Sequence, residues 1–484
     1  MIDTETSQEE ERREAHLSPS PSGEPSIGRV VVDAFRGRGG DPTEGPLDRA
    51  ILYLAIPMVL EMAMESIFAV VDIFFVSRLG PGAMATVGLT ESLMAIIYTL
   101  AAGLSIGVTA TVARRTGERN LDAASRATGQ AIVIGLVITV VLGSLGAWFA
   151  PSLLRLMGAE AAVVEEGVGY ARILLGGNGA VLFLFLINAA FRGAGDAVIA
   201  MRVLWLGNAL NMVLDPLLIF GLGPFPEWGI SGAAAATVIG RGTAVALQLL
   251  VLFRLSDRLS LELRHLRPRM EVLVRLVRLS GTGTFQAFVS TASWIGLVRI
   301  IAGFGSEALA GYTVAIRIVL FALLPAWGLA NAAATMVGQG LGAGKPDRAE
   351  RAVWMAGKMN FVFLGSVGML FLAFAPWMVS LFTAEPLTAA HGVHGLRIIS
   401  LGFFFYGYGM VLTAAFNGAG DAWTPTWLNL GCFWAWEIPL AWFLAYRLEW
   451  GADGVFAAIT VAFSTIAVAA GVLFKRGRWK KVKV

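Results

Sequence analysis

The sequence predicts an all-α integral membrane protein whose twelve transmembrane helices form two parallel six-helix lobes, related by a pseudo-twofold axis along the membrane normal. Three observations carry this. The 484 residues are 56% apolar, with a mean hydropathy of +0.69 and 15% charged residues, against roughly 25% in soluble domains. Twelve stretches are long enough to cross a bilayer core about 30 Å thick, which takes about 20 helical residues. The chain also repeats itself: at an offset of 225, "AAFRGAGDA" (189–197) meets "AAFNGAGDA" (414–422).

Taken in order, residues 1–48 include "TSQEEERREAHLSPSPSGEPS", a polar stretch rich in Pro and Ser and without the apolar core of a secretory signal. They read as a disordered cytoplasmic tail. The expected spans are 51–76, 84–113, 125–149, 166–190, 198–221 and 229–253 in an N-lobe (49–253), then 279–303, 308–341, 352–375, 395–416, 424–446 and 452–474 in a C-lobe (279–475). Between the lobes, 254–278 alternates arginines with leucines and valines and suits a linker lying in the cytoplasmic interface. A basic tail, 476–484, ends the chain.

Loop charge orients the spans. Arg114, Arg115, Arg119, Arg126, Arg192, Arg202, the arginines from Arg254 to Arg278, Lys345, Arg348, Arg351 and Lys358 fall on one side with the basic tail. The positive-inside bias puts that side, and both termini, in the cytoplasm, for a multi-pass protein expected in the plasma (inner) membrane. Six spans per copy make the second copy enter from the same side as the first, so the repeats are parallel and should flank a central cavity.

Several function classes drop out. Cys432 is the only cysteine and lies in an apolar stretch, which excludes a disulfide framework and a CxxC metal site. The basic residues sit where topology requires them, so the pI near 9.1 does not indicate nucleic acid. "GQGLGAGK" (338–345) ends a membrane helix and is followed by Pro346 where a phosphate loop needs Ser or Thr; packing and a turn account for its glycines. His391 and His394 form a lone His-x-x-His pair, expected in an external loop without nearby cysteines.

Charges inside a bilayer cost from about 3 to more than 10 kcal/mol, so intramembrane carboxylates are functional candidates. Glu61, Glu65 and Asp72 are spaced by four and seven on the first span, on one face that should look into the cavity. Pro57 provides a hinge on the same helix, and Pro216 another on span five. Asp72 lies eight residues before Gly80 and Asp215 six before Gly221, a depth difference of only about 3 Å. Asn211, Tyr170 and Thr237 fall near that layer. At the offset of 225, Asp72, Asn211 and Asp215 become Leu297, Trp436 and Leu440, so one copy kept a polar site. Two carboxylates about 5 Å apart repel by about 3 kcal/mol at an effective dielectric near 20. They should therefore share a proton or Na⁺ and titrate as a unit.

Pro57, "VVDIFFVSRLG" around Asp72, "AAFRGAGD" and "NMVLDPLLIFG" together resemble the multidrug and toxic compound extrusion (MATE) family, over about residues 49–475 and closer to its DinF-like branch than to its NorM-type branch. The resemblance implies a MATE-like fold and cation-coupled export, with Asp72, Asn211, Asp215 and Thr237 at the Na⁺ or H⁺ positions and Tyr170 and Asn188 at neighbouring polar ones. Asn188, four residues before "RGAGD", belongs by depth to the substrate path. Span seven offers Gln286 as its main polar residue and span ten no acid, which speaks against a second-lobe cation site. Glu61 and Glu65 should make the cavity acidic and favour cationic substrates, with Gln286, Trp294 and "FFFYGYGM" (403–410) as further wall.

The expected function is a secondary active multidrug exporter, not an enzyme, acting as a monomer. It needs no cofactor beyond the coupling Na⁺ or H⁺, and its partners are small organic cations or drugs and membrane lipids. The alternatives are a flippase for lipid-linked precursors, against which twelve spans and an acidic first helix argue, and a metabolite exporter.

Overall fold

The computed structural model describes residues 27–37, 40–256 and 258–484. Most of the tail expected to be disordered, residues 1–26, lies outside these. The rest of it differs from that expectation: Ile27–Arg36 is an amphipathic helix, and residues 42–45 after it are held by hydrogen bonds from Lys345 and Arg348 of the second lobe.

Twelve helical spans follow. In the first lobe α1 is Leu47–Val76, α2 Pro81–Gly117, α3 Leu121–Leu156, α4 Ala161–Gly193 with a break at Gly177, α5 Ala197–Phe220 and α6 Ile230–Arg254. In the second, α7 is Met270–Ile301, α8 Ser306–Gly342, α9 Pro346–Ser380, α10 the pair Pro386–Ser400 and Phe403–Ala419, α11 residues 423–447 and α12 Ala452–Lys475. Among the described residues, nine helices are long and apolar enough to cross a membrane, and the two halves of α10, bent by 60°, make a tenth crossing. The acid-bearing α1 and the irregular α11 complete the twelve. α11 is α-helical only over Trp423–Asn429 and Ile438–Trp442; Leu430–Glu437 and Phe443–Arg447 are π-helical.

Two sequence expectations shift. The last third of the expected linker, 270–278, already forms the first turns of α7, and only 255–269 connects the lobes, around a short 3₁₀ turn at Leu263–Leu266 with His265 buried. His391 and His394 lie on the first half of α10 rather than in a loop, and His394 Nδ1 sits 3.1 Å from Asp453 Oδ2 of α12.

The duplication is written in the backbone. A 3₁₀ turn at Ser77–Leu79 runs into Gly80 at φ 101°, and its counterpart at Ala302–Phe304 into Gly305 at φ 103°. Both glycines hold a conformation that side chains rarely adopt.

The lobes are tied together at the end that carries both described termini. Lys345 Nζ donates to the Thr43 carbonyl (3.0 Å), and the Arg348 guanidinium to the carbonyls of Pro42, Glu44 and Gly45. Arg114 and Arg115 of α2 donate to the carbonyls of Val482 and Val484. Thr335 and Gln339 of α8 reach the carbonyls of Arg192 and Gly193. The seam is close enough that a Cβ on Gly117 would run into the backbone of Gln339, and one on Gly342 into that of Arg114.

Candidate functional site

The N-lobe interior carries three polar tiers, each built from α1 and from two or three of α4, α5 and α6. The helices explain the stacking. On α1 the acids fall at 61, 65 and 72; on the antiparallel α6, Gln248, Arg241 and Thr237 descend by seven and four, so the two helices meet tier by tier.

In the tier nearest the termini, Glu61 Oε1 accepts from Asn188 Nδ2 and Arg192 Nη1, both at 2.8 Å, and Gln248 Nε2 donates to Asn188 Oδ1. Glu61 is 1% exposed. In the middle tier, Glu65 accepts from Arg241 Nη2 at 2.6 Å and from Asn208 Nδ2 at 3.1 Å. The Arg241 guanidinium lies over the Phe68 ring, 5.1 Å from its centroid, which adds a cation–π contact in a desolvated place.

The outermost tier differs in kind. Asn211 Nδ2 donates to Thr237 Oγ1 at 3.1 Å, but Asn211 Oδ1 and both carboxylate oxygens of Asp215 are buried without a partner among the described residues. Asp72 and Tyr170 lie within electrostatic reach of Asp215. The structure thus gathers Asp72, Tyr170, Asn211, Asp215 and Thr237 at one level. Three buried acceptor oxygens facing no donor are the complement of a cation or of protons, because an unmet acceptor inside a membrane is costly. Pro216, next to Asp215, lacks the N–H that would bond the Met212 carbonyl, which leaves α5 locally free to bend while it stays continuous. Pro57 sits inside α1 in the same way.

Between the lobes lies a cavity of about 480 Å³. Its N-lobe wall includes Glu61, Glu65, Asn188 and Arg192, and its C-lobe wall Gln286 and Tyr406. Trp327, Met410 and Phe433 give it a largely apolar surface, as an amphipathic ligand requires. Trp294 is not on that wall: it packs against the C-lobe core. The expectation of an acidic cavity also needs correction. Glu61 and Glu65 do face it, but each is ion-paired with an arginine, so the two acids bring no net charge. Sequence reasoning placed Arg192 in a loop and passed over Arg241 in "VIGRGTAV", a cation inside an apolar span that was as visible as any acid.

With this geometry in view, the comparisons with known proteins are consistent. The MatE family model matches residues 57–217 and 284–443, one match in each lobe. The chain belongs to the MatE family. Like other MatE chains it is a membrane transporter and not an enzyme. It is 26% identical over 421 residues to the "probable multidrug resistance protein YoeA" of Bacillus subtilis, covering 86% of this chain and 91% of that one. It is 26% identical over 369 residues to a protein of Shewanella oneidensis named "FAD transporter" (73% and 81% covered). Among solved structures, the outward-facing conformation of a multidrug resistance MATE family transporter superposes with a TM-score of 0.84 at 28% identity, covering 95% of this chain and 99% of that one.

Proposed function

We propose that this chain is a secondary active exporter that exchanges amphipathic organic compounds for H⁺ or Na⁺ by alternating access across the plasma membrane, with its termini in the cytoplasm. The observation that carries the coupling is Asp215, whose two carboxylate oxygens are buried and unpartnered beside Asp72, while the acids facing the cavity are neutralised by arginines. Division of labour follows. Asp72, Asn211, Asp215, Thr237 and Tyr170 take the cation; Glu61, Glu65, Asn188 and Gln286 shape the substrate cavity; Pro57 and Pro216 let α1 and α5 bend between states. The seam at the terminal end, joined by the Thr335, Gln339, Lys345 and Arg348 hydrogen bonds, supports a state closed to the cytoplasm.

Since the cavity acids are paired, the substrate range extends past cations to neutral and zwitterionic amphipaths. The relative named as an FAD transporter supports, as a second reading, export of a metabolite. The deciding experiment is flux in proteoliposomes against a panel of cationic, neutral and anionic compounds, with pH and Na⁺ gradients imposed separately. Export driven by one of the gradients is expected; flux indifferent to both would overturn the coupling.

A further inference from the structure

The C-lobe carries a buried carboxylate that neither the duplication nor the cation layer accounts for. Glu437 is 2% exposed, in the π-helical stretch Leu430–Glu437 of α11, and no hydrogen bond or ion pair is found for it among the described residues. It is the sole acid between 424 and 446. At the offset of 225 it falls on Met212, one residue from Asn211, so it stands on the helix equivalent to α5 and at a depth near that of the N-lobe cation layer. π-helical turns are rare and concentrate at functional places, and an unpaired carboxylate inside a bilayer is expensive enough to demand a reason.

Its surroundings supply one. The groups that titrate near it are Tyr312 from α8, Tyr406 from α10 and Cys432 from its own span. α7 and α12, which also pack on this stretch, bring no charged side chain to it. The Tyr312 hydroxyl is itself buried with no partner. Tyr312 stacks on Phe456 and Tyr406 on Phe463, both of α12, with ring centroids 6.2 and 4.2 Å apart, so the two phenols are fixed in place. Tyr406 also borders the central cavity, together with Asn429 and Phe433, two and one helical turns before Glu437 on the same helix.

We propose that Glu437, with the hydroxyls of Tyr312 and Tyr406, is a second proton-binding site, in the C-lobe, that exchanges protons with the central cavity past Tyr406. Uptake forms the O–H bond of the carboxyl as an O–H bond of a hydronium in the cavity breaks and leaves water, and release reverses this, with no other reactant. One carboxylate and two phenols offer too few oxygens to cage an alkali cation, whereas a protonated carboxyl needs only one acceptor. The two phenols within electrostatic reach offer a donor to the carboxylate and an acceptor to the carboxyl. The site's role in the cycle rests on the cation-coupled reading above, and would give each lobe its own protonatable carboxylate on equivalent helices.

The test is pH-difference infrared spectroscopy of the purified full chain, following the C=O stretch of protonated carboxyls. In the Asp72→Asn/Asp215→Asn background a protonated-carboxyl band should still titrate with pH, and Glu437→Gln should remove that band. Tyr406→Phe or Tyr312→Phe should move its midpoint by about one pH unit, a readout that remains if Glu437→Gln fails to fold. Absence of a titrating band in that background, or a midpoint indifferent to both tyrosine substitutions, would overturn the proposal. Wild-type protein that showed the band yet exported nothing under either gradient would count against the export reading alone.

Discussion

Residue by residue, the proposed division between coupling and binding rests on who has a partner. Asp215 has none and Glu65 has two, Arg241 and Asn208, so the same type of substitution should act differently at the two places. Asp215→Asn keeps the shape and removes a costly charge, and the protein should insert and fold normally yet lose gradient-driven export by at least about tenfold. Wild-type export with unchanged pH and Na⁺ dependence would remove Asp215 from the coupling site. Arg241→Gln instead leaves Glu65, partly exposed on the cavity wall, with Asn208 alone, and breaking this half-buried pair costs on the order of 1 to 3 kcal/mol. A clear fall in the thermal midpoint in detergent is expected, and the Glu65→Gln/Arg241→Gln double variant should recover most of it. A double variant no more stable than the single one would show that the unpaired Glu65 is not what lowers the midpoint. The acids of α1 were legible in the sequence because a charge among apolar residues stands out. Their partners were not: Arg192, a few residues from a turn, counts equally well as a loop charge, and depth alone cannot tell a charge facing cytoplasm from one reaching back into the lobe.

At the level of elements, the helices were legible to within several residues because apolar length is a strong signal, and their departures from regularity were not. Nothing in the composition of 423–447 announces π geometry, in a helix that packs against α7 and α12. The segment before α1 shows the same limit. Its polar, Pro-rich sequence reads as a tail, yet the carbonyls of Pro42, Thr43, Glu44 and Gly45 are taken up by Lys345 and Arg348, some 300 residues away. Composition reports side chains, and this strap is held by backbone. Arg348→Ala removes the larger share of those donors, so amide exchange over residues 40–46 should accelerate several-fold while exchange in the α5 and α6 interiors stays unchanged. No change over 40–46 would mean that the strap is held without Arg348.

For the whole molecule, the duplication was readable from a nine-residue echo, but what the two copies do together depends on the seam between them. That seam is backbone against backbone at Gly117 with Gln339 and at Gly342 with Arg114, with no room for a side chain. A Val at Gly342 therefore has to push the lobes apart at the terminal end, in the very state that requires them closed. Alternating access is a balance between two arrangements, and a penalty of about 3 kcal/mol placed on one of them moves the population more than a hundredfold. Gly342→Val should accordingly shift the transporter toward the state open at the terminal end. A cysteine placed at Ser290 on the cavity wall, in the Cys432→Ser background, reports the shift. Its labelling from the terminal side should rise, labelling from the opposite side should fall, and export should slow because closure at the terminal end has become rate-limiting. If labelling from both sides stayed as in the unsubstituted seam, these glycines would not be what holds the lobes shut.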